Sequence, residues 1–430
     1  MRLALLISLI FISMCSFAEE ARLYGTSTHF AQNKTNPDFF LQFTKGTAFN
    51  SHRDEIYWHD VEKEKGLFAL TGKAKVSAET INSSAQSGLY PLVVLDYGNK
   101  LYDGGDQPYS DEGRHAFGKY CYWVSSMLDS KVRYFEIWNE WNHGMGTSPP
   151  RKTGSAVDYV KLTEICAREI RKSKPDAIII AGSVTNDWGA WPWLSSALEN
   201  GLMKYANGIS VHLYSFLISS GNGQEAFISD RLNQLNTILS KYGNNHIYIT
   251  EIGWPNHLGK GSVTRADAAA LAVRFILHAQ ASKTIKGIWF YELKDSGTNA
   301  YEKEDNFGLH DYTNKPKQSY CAINKLLDRT ANNGYTNETL LDELSVRTYF
   351  NKKTRTQTTI IWRTLWDNQN KPIEISISSL NQFTTFKSDC STSDSGKFKL
   401  DHLSAGNAPI IIDHTSPLTI NRQENVKFSN

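Results

Sequence analysis

Short apolar runs recur along the first three quarters of the chain, and longer amphipathic stretches separate them. Runs of four to eight apolar residues indicate buried strands, whereas apolar positions three and four apart indicate helices. This pattern predicts eight strands, near 22–27, 43–50, 89–96, 132–138, 177–182, 207–214, 246–251 and 286–291. It predicts helices between most of them and one after the last, at 111–129, 155–174, 226–242, 264–283 and 316–330.

Eight strands that alternate with helical segments over about 300 residues fit a (β/α)8 barrel. A doubly wound open sheet is the alternative, but the glycine-rich fingerprint expected after its first strand is missing. We therefore predict an α/β fold, a TIM barrel, over residues 19–330.

The pattern changes after residue 330. "TANNGYTNET" reads as a polar, turn-rich linker, and no helical stretch follows it. The segments beyond it are short and strand-like: VRTYF, TTIIW, IEISI, FTTF, KFKL and PIIID. We predict a small all-β sandwich domain over residues 331–430, with a supporting rather than a catalytic role.

The N-terminus predicts export. Arg2 precedes an apolar run from Leu3 to Met14, and Ser16-Phe17-Ala18 offers small residues where a signal peptidase cuts. We expect residues 1–18 to be a signal peptide and the mature protein to be secreted or periplasmic. No later stretch approaches the roughly 20 apolar residues that a membrane span needs.

Composition narrows the possible partners. A net charge of +2 over 430 residues argues against nucleic acid or an anionic membrane surface as a partner. The chain has 11 Trp and 20 Tyr, whose flat faces suit sugar rings as well as protein cores. Stacking on a sugar is one interpretation of the three tryptophans in "DWGAWPW", and core packing is the other: Trp188, Trp191 and Trp193.

The four cysteines after residue 18 do not show the spacing of a zinc site. Cys121 and Cys166 lie in apolar stripes at helical spacing, which favours buried thiols. Export also permits a disulfide, and the sequence leaves the pairing of these two with Cys321 and Cys390 open.

Two glutamates stand at predicted strand ends. "EIWNEW" closes the fourth strand and contains Glu140, and "ITEIGWP" closes the seventh and contains Glu251. Barrel active sites are built at this carboxyl face, and barrel geometry puts the two carboxyl groups about 6 Å apart. That is near the roughly 5 to 5.5 Å of a retaining glycosidase pair, and an inverting pair at about 6.5 to 9.5 Å is the alternative.

Glu136 shares inward parity with Glu140 but lies deeper in the predicted barrel. Buried carboxylates are normally paired, so we expect it to bind a cation such as Arg53 or Lys45.

The motifs "WNE" and "TEIGW" resemble clan A of the glycoside hydrolases. Further motifs from 22 to 328 are similar to family 39 and to the bacterial exopolysaccharide endoglycosidases related to it: RDEIYWHDVEKEKG, LDYGN, SVHLY, WFYELKD and DNFGLHD. Two positions depart from the clan pattern, because Trp141 stands where many members have Pro and Phe290 where Trp is expected.

The resemblance implies roles for individual residues. Glu140 would be the acid/base and Glu251 the nucleophile, and Asn139 would bind the sugar 2-hydroxyl. Arg53 and Tyr214 would lie beside Glu251. The remaining implied substrate-binding residues are Trp138, His212, Trp254 and Tyr291.

The implied function is that of a retaining glycoside hydrolase, acting on a polysaccharide or oligosaccharide without a metal or organic cofactor. Trp138 and Trp141 beside Glu140 lead us to expect a raised pKa for its carboxyl group. Endo-action on an exopolysaccharide is the preferred interpretation. The alternatives are exo-action of the β-xylosidase kind and a catalytically silent carbohydrate-binding barrel, and the oligomeric state stays open.

Overall fold

The computed structural model describes residues 21–185, 189–218, 221–243, 245–369, 371–386 and 397–422. The predicted signal peptide, Trp188 and Cys390 lie outside these ranges.

Eight parallel strands form the predicted barrel. They are β1 (Leu23–Thr26), β2 (Ser51–Tyr57), β3 (Tyr90–Asp96), β4 (Tyr134–Ile137), β5 (Ile178–Val184), β6 (Gly208–His212), β7 (Ile247–Ile252) and β8 (Ile285–Phe290). Their order in the sheet is β1-β8-β7-β6-β5-β4-β3-β2. A bridge between Ser27 and Arg53 joins the two edges, where the Thr28 amide donates to the Arg53 carbonyl at 3.0 Å. The fold-class prediction is confirmed.

Helices cover the outside of the barrel. They are α1 (Pro37–Lys45), α2 (Gly72–Gln86), α3 (Asp111–Met127), α4 (Ala156–Ser173), α5 (Ala190–Glu199), α6 (Gly221–Leu239), α7 (Arg265–Ala281) and α8 (Gln318–Thr330). A short helix, Trp58–Val61, and a small hairpin, Glu62–Glu64 with Leu67–Phe68, follow β2. Helix α7 is capped at its start, since the Thr264 hydroxyl accepts from the Asp267 amide at 3.1 Å.

The prediction for the second strand is wrong. The segment 43–50 contains the end of α1, whose first turn is capped by the Asn36 side chain with Pro37 at its start. The true strand is "SHRDEIY", which is polar and yet buried over most of its length. An apolar pattern cannot reveal such a strand, because its polar groups are paired inside the protein.

Seven antiparallel strands form the C-terminal domain. They are β9 (Tyr335–Leu341), β10 (Leu344–Asn351), β11 (Thr356–Arg363), β12 (Ile373–Phe386), β13 (Lys397–Ala405), β14 (Ile410–His414) and β15 (Leu418–Arg422). The long β12 pairs with β13, β14 and β15, so one sheet folds over its own hydrophobic core. The linker prediction is wrong at its end, because "YTNET" belongs to the exposed edge strand β9.

The C-terminal domain packs directly on the barrel. Tyr349, Trp362 and Trp366 belong to the same buried apolar cluster as the barrel helices. Of the helices within the described ranges, none combines the length and the hydropathy that crossing a bilayer requires.

Cys121 and Cys166 are buried free thiols in contact with each other, as the apolar stripes predicted. Burial raises the pKa of the Cys121 thiol well above its ordinary value. Cys321 is disulfide-bonded.

Large side chains close the amino-terminal end of the barrel interior. Trp289 is fully buried and packs with five other barrel residues, Leu23, Leu92, Tyr134, Ile180 and Tyr248. Gly25 lies against this indole, because a Cβ atom there would meet Trp289 Cδ1 at 2.3 Å. The bulky floor of the barrel therefore depends on a neighbour without a side chain.

We expect Gly25→Ala to destabilise the protein by about 1 to 3 kcal/mol through overpacking. The added methyl group would also approach the Ser51 backbone at 3.1 Å, so the indole cannot simply turn away. Urea unfolding measures the effect. Gly46→Ala is the matched control, because no heavy atom lies within 4 Å of its Cβ position. Equal stability of both variants would contradict the tightly packed floor.

Candidate active site

A cavity of about 1240 Å³ opens at the carboxyl ends of the barrel strands. Glu140 and Glu251 line it, together with Asn139, Tyr214 and Tyr291. Glu251 lies on β7, and Glu140 follows β4. The structure thus brings five of the sequence-predicted site residues together around one cavity.

The two carboxyl groups and a histidine form a compact group. A carboxylate oxygen of Glu140, one of Glu251 and a ring nitrogen of His212 all lie within 4.8 Å of one another. This is closer than the gap of about 6 Å expected from barrel geometry. Each group therefore acts strongly on the charge of the other two.

Arg53 is buried beneath this group and binds three side chains. Its Nε donates to Glu136 at 2.7 Å, its Nη1 to Glu251 at 2.9 Å and its Nη2 to Asn139 at 2.8 Å. Burial opposes the charge of Arg53, but the carboxylates of Glu136 and Glu251 outweigh it and raise its pKa well above the usual value. The prediction that Glu136 pairs with a buried cation is confirmed.

Glu251 is held at both oxygens. Arg53 donates to Oε1, and the Tyr214 hydroxyl donates to Oε2 at 2.7 Å. Only 7 % of the residue is exposed, so the carboxylate meets the cavity with a fixed orientation. Burial, with the charge of Glu251 next, raises the pKa of Tyr214 well above its usual value and keeps its hydroxyl a donor.

Glu140 is bonded to His212. The Nδ1 atom of His212 lies 2.7 Å from Glu140 Oε1 and 3.4 Å from Glu251 Oε2. Burial alone would lower the pKa of His212, but the two carboxylates reverse the effect and raise it. The other ring nitrogen lies 3.0 Å from the Ser183 hydroxyl, which in turn donates to Asn139 at 3.1 Å. Both ring nitrogens therefore face an acceptor, as an imidazolium requires.

The expected rise in the pKa of Glu140 is wrong. Burial does act in that direction, but the hydrogen bond from His212 and its charge outweigh burial and lower the pKa of Glu140. Trp138 and Trp141 lie beside Glu140 in sequence, whereas His212 becomes its neighbour only in the folded barrel. The two pKa shifts and the hydrogen bonds of the imidazole thus favour a proton on His212 and a negative charge on Glu140.

The backbone around Glu140 is strained. Trp138 has φ 63° and Glu140 has φ 48°, both in the left-handed region that bulky residues rarely enter. Such residues typically cost about 1 to 3 kcal/mol each and cluster at functional sites. Here the two turns bring Glu140 over the cavity and direct Trp138 inward, where its Nε1 donates to the Met145 carbonyl at 3.1 Å.

Two predicted substrate-binding residues take supporting positions. Trp138 is fully buried and packs against Tyr97 and Trp141. Trp254 is 5 % exposed, and its Nε1 donates to Gln224 at 2.8 Å. Both indoles pack behind the residues that line the cavity.

Among the residues described, one group has ligand atoms close enough to hold a metal ion, and it consists of Glu140, His212 and Glu251. A ligating histidine must be neutral. The raised pKa of His212 and the charge of Arg53 beside Glu251 both oppose metal binding here.

One end of the cavity was not anticipated from the sequence. His29, Gln32 and Glu55 line it, and His29 Nδ1 lies 3.0 Å from Glu55 Oε1. Arg53 and Glu55 are two positions apart on β2, so their side chains point to the same face of the strand. This spacing could have revealed the carboxylate of Glu55. His29 follows β1 in an irregular loop, whose course no periodic pattern of residues indicates.

The opposite end is formed by α5, α6 and the loop after β6. Trp191, Arg231 and Gln234 line it, and the guanidinium of Arg231 lies 3.9 Å above the Trp191 ring. Trp193 instead packs against Tyr159, and its Nε1 donates to a backbone carbonyl. Of the two described tryptophans in "DWGAWPW", only Trp191 reaches the cavity wall.

Similar proteins are found among solved structures. The sequence matches no protein-family model and no curated protein. A family 39 glycoside hydrolase from Bacteroides cellulosilyticus WH2 has a similar structure, with a TM-score of 0.72 at 18 % identity, over 91 % of this chain and 81 % of that one.

Two further solved structures agree. A family 39 enzyme from Xanthomonas axonopodis pv. citri gives a TM-score of 0.62 at 12 % identity, over 91 % of this chain and 93 % of that one. A family 39 β-xylosidase from Caulobacter crescentus gives 0.61 at 12 % identity, over 91 % and 95 %. The chain therefore has the fold of the family 39 glycoside hydrolases, as the motif resemblance implied for residues 22–328. The similarity over 91 % of the chain includes the C-terminal domain.

Proposed function

We propose that the protein is a retaining glycoside hydrolase, with Glu251 as nucleophile and Glu140 as acid/base. The observation that carries this proposal is the approach of the two carboxylates and His212 to within 4.8 Å in one cavity. Retaining enzymes place their carboxyl groups about 5 to 5.5 Å apart, whereas inverting enzymes leave about 6.5 to 9.5 Å for a water molecule. The short separation supports the retaining mechanism.

The environments of the two carboxylates differ as the two roles require. Glu251 accepts hydrogen bonds from Arg53 and Tyr214, which hold both of its oxygens and aim it at the cavity. Glu140 accepts from His212, which holds a transferable proton. One group is thus arranged to attack and the other to exchange a proton.

The first step forms a glycosyl-enzyme. Glu251 attacks the anomeric carbon while the bond from that carbon to the leaving oxygen breaks. Its negative charge, which helps to hold the proton on His212, is consumed in the ester. The proton then moves from His212 Nδ1 to Glu140 and onward to the leaving oxygen.

The second step reverses this transfer. Glu140, now ionised, takes a proton from water, and the hydroxide attacks the anomeric carbon. Cleavage of the ester restores the charge on Glu251, and that charge draws the proton back to His212. The site returns to its resting state with the water incorporated in the released sugar.

Endo-action on an exopolysaccharide is our proposal for the mode of cleavage. The cavity extends from His29 and Glu55 at one end to Trp191 and Gln234 at the other, with the catalytic pair between. Its volume of about 1240 Å³ exceeds the roughly 300 to 1,000 Å³ of an ordinary small-molecule site. Such a cavity has room for sugar units on both sides of the cleaved bond. Exo-action of the β-xylosidase kind is the second candidate, because a β-xylosidase has the same fold.

We also propose that the chain is exported, from the signal-peptide pattern of residues 1–18. The disulfide-bonded Cys321 supports this, because such bonds persist mainly in oxidising compartments. N-terminal sequencing of the mature protein tests the cleavage site after Ala18.

Product analysis with bacterial exopolysaccharides and plant xylans and mannans tests the activity. We expect the wild type to release oligosaccharides and Glu251→Gln to lose roughly 10³-fold or more of the rate, because the amide cannot form the glycosyl ester. Monosaccharides alone would favour exo-action. Equal product release by both proteins would overturn the assignment of Glu251.

The role of Glu140 has its own test. With a dinitrophenyl glycoside, whose leaving group needs no proton, Glu140→Ala should still form the glycosyl-enzyme but hydrolyse it slowly. Azide needs no general base, so we expect it to restore turnover and yield a glycosyl azide of retained configuration. Absence of rescue, or a product of inverted configuration, would contradict the acid/base role.

The proton on His212 predicts a pH effect. The raised pKa of His212 keeps the shared proton available at higher pH, so activity falls only as pH rises through that value. His212→Asn keeps a donor near Glu140 but no transferable proton, and the basic limb of kcat/KM should move to lower pH. The control is His52→Asn, because burial lowers the pKa of that histidine to about 3 and it lies outside the catalytic group. An unchanged pH profile of kcat/KM in His212→Asn would contradict the role of His212 as the source of the transferred proton.

A further inference from the structure

A buried arginine connects the C-terminal domain to the barrel. Arg274 on α7 is fully buried, and its Nη1 donates to the carbonyl of Arg363, the last residue of β11, at 2.7 Å. Its Nη2 lies 3.4 Å from the Thr364 carbonyl, and its guanidinium is 5.7 Å from the centre of the Trp366 ring. The C-terminal domain thus supplies backbone acceptors to a charge on a barrel helix.

The same guanidinium binds a second barrel helix. Its Nε and Nη2 donate to the two carboxylate oxygens of Glu225 on α6, the latter at 2.8 Å. A two-point bond between an arginine and a carboxylate fixes direction as well as distance. Arg274 therefore sets the position of α6 relative to α7 and to the C-terminal domain.

The residue before Glu225 reaches toward the catalytic strands. Gln224 Oε1 accepts from Trp254 Nε1 at 2.8 Å and from the Ser215 hydroxyl at 3.2 Å. Trp254 follows the end of β7, which carries Glu251, and Ser215 follows Tyr214. The first part of α6 is thus bonded to the loops that follow β6 and β7, beside Glu251.

The middle of α6 forms a wall of the cavity. Phe227, Asp230, Arg231 and Gln234 line the end that also contains Trp191. Glu140, which protonates the leaving oxygen in the proposed mechanism, is bonded to His212 of β6, and the loop after β6 and α6 form this end of the cavity. The wall formed by α6 therefore receives the leaving-group part of the saccharide chain.

We propose that Glu225 and Arg274 are positioning residues through which the C-terminal domain sets the affinity of the site for the leaving-group part of a saccharide. This inference rests on the proposed glycosidase function. The domain contributes no residue to the cavity wall among those described, and it acts by holding α6 in place.

The test uses full-length Glu225→Gln and Arg274→Lys, the second of which keeps the charge but loses the forked geometry. The control is Arg329→Gln, which removes another ion pair between barrel and C-terminal domain, from Arg329 Nε to Asp413 at 2.9 Å. Arg329 lies on α8, so its loss weakens the domain contact without touching α6.

Hydrogen exchange gives a readout that needs no substrate. We expect amides of 221–239 to exchange about tenfold faster in both test variants and at the wild-type rate in Arg329→Gln, because only the former release α6. Unchanged exchange of this helix in both test variants would overturn the inference, whatever the activity.

Kinetics separates positioning from general stability. The probes are an aryl glycoside of the sugar that wild type accepts and the shortest oligosaccharide that it cleaves. In the test variants, kcat/KM for the oligosaccharide should fall about tenfold through KM, with the aryl glycoside within about twofold of wild type. Equal losses on both substrates would show a purely structural role. Failure of the wild type on every substrate would instead overturn the proposed function, so the two failures are distinguishable.

Discussion

A guanidinium buried beneath the carboxylates of Glu140 and Glu251 is the constraint from which the rest of the site follows. Arg53 is only 1 % exposed, and a charge so placed is tolerated only when it is fully paired. Glu136 is also fully buried, and its carboxyl group accepts from Arg53 Nε at 2.7 Å, so the guanidinium has a partner that does not line the cavity. Glu251 can therefore lose its own charge to a substrate without leaving the arginine alone in the interior.

This pairing also explains which parts of the fold the sequence could predict. Five of the outer helices and seven of the eight barrel strands are apolar on the faces that they bury, and their pattern is sufficient. Strand β2 carries Arg53, Asp54 and Glu55 into the interior, and a polar strand gives no such pattern. The strand that contributes the central cation is thus the one that hydrophobic periodicity misses. Edge strand β9 was missed for the opposite reason, because most of its residues face solvent.

The candidate site was predictable in its residues and not in its charges. Glu140 and Glu251 stand at strand ends, and a parallel barrel brings all strand ends to one face whatever the details of packing. The state of Glu140, however, depends on His212, which is 72 positions away in the chain and 2.7 Å away in the fold. Burial and a neighbouring cation shift a carboxyl pKa in opposite directions, so neighbours in sequence cannot give the sign. The two ends of the cavity depend likewise on loops whose course no periodic pattern specifies.

The packed side chains around Trp289 close the barrel interior at its amino-terminal end, so the barrel is open at its carboxyl face. A saccharide can lie across the carboxyl face, but it cannot pass through the barrel interior. Ligands and water must therefore enter and leave at the same face. The residues that close the far end of the barrel thus leave the fit of any ligand to the loops at the carboxyl face.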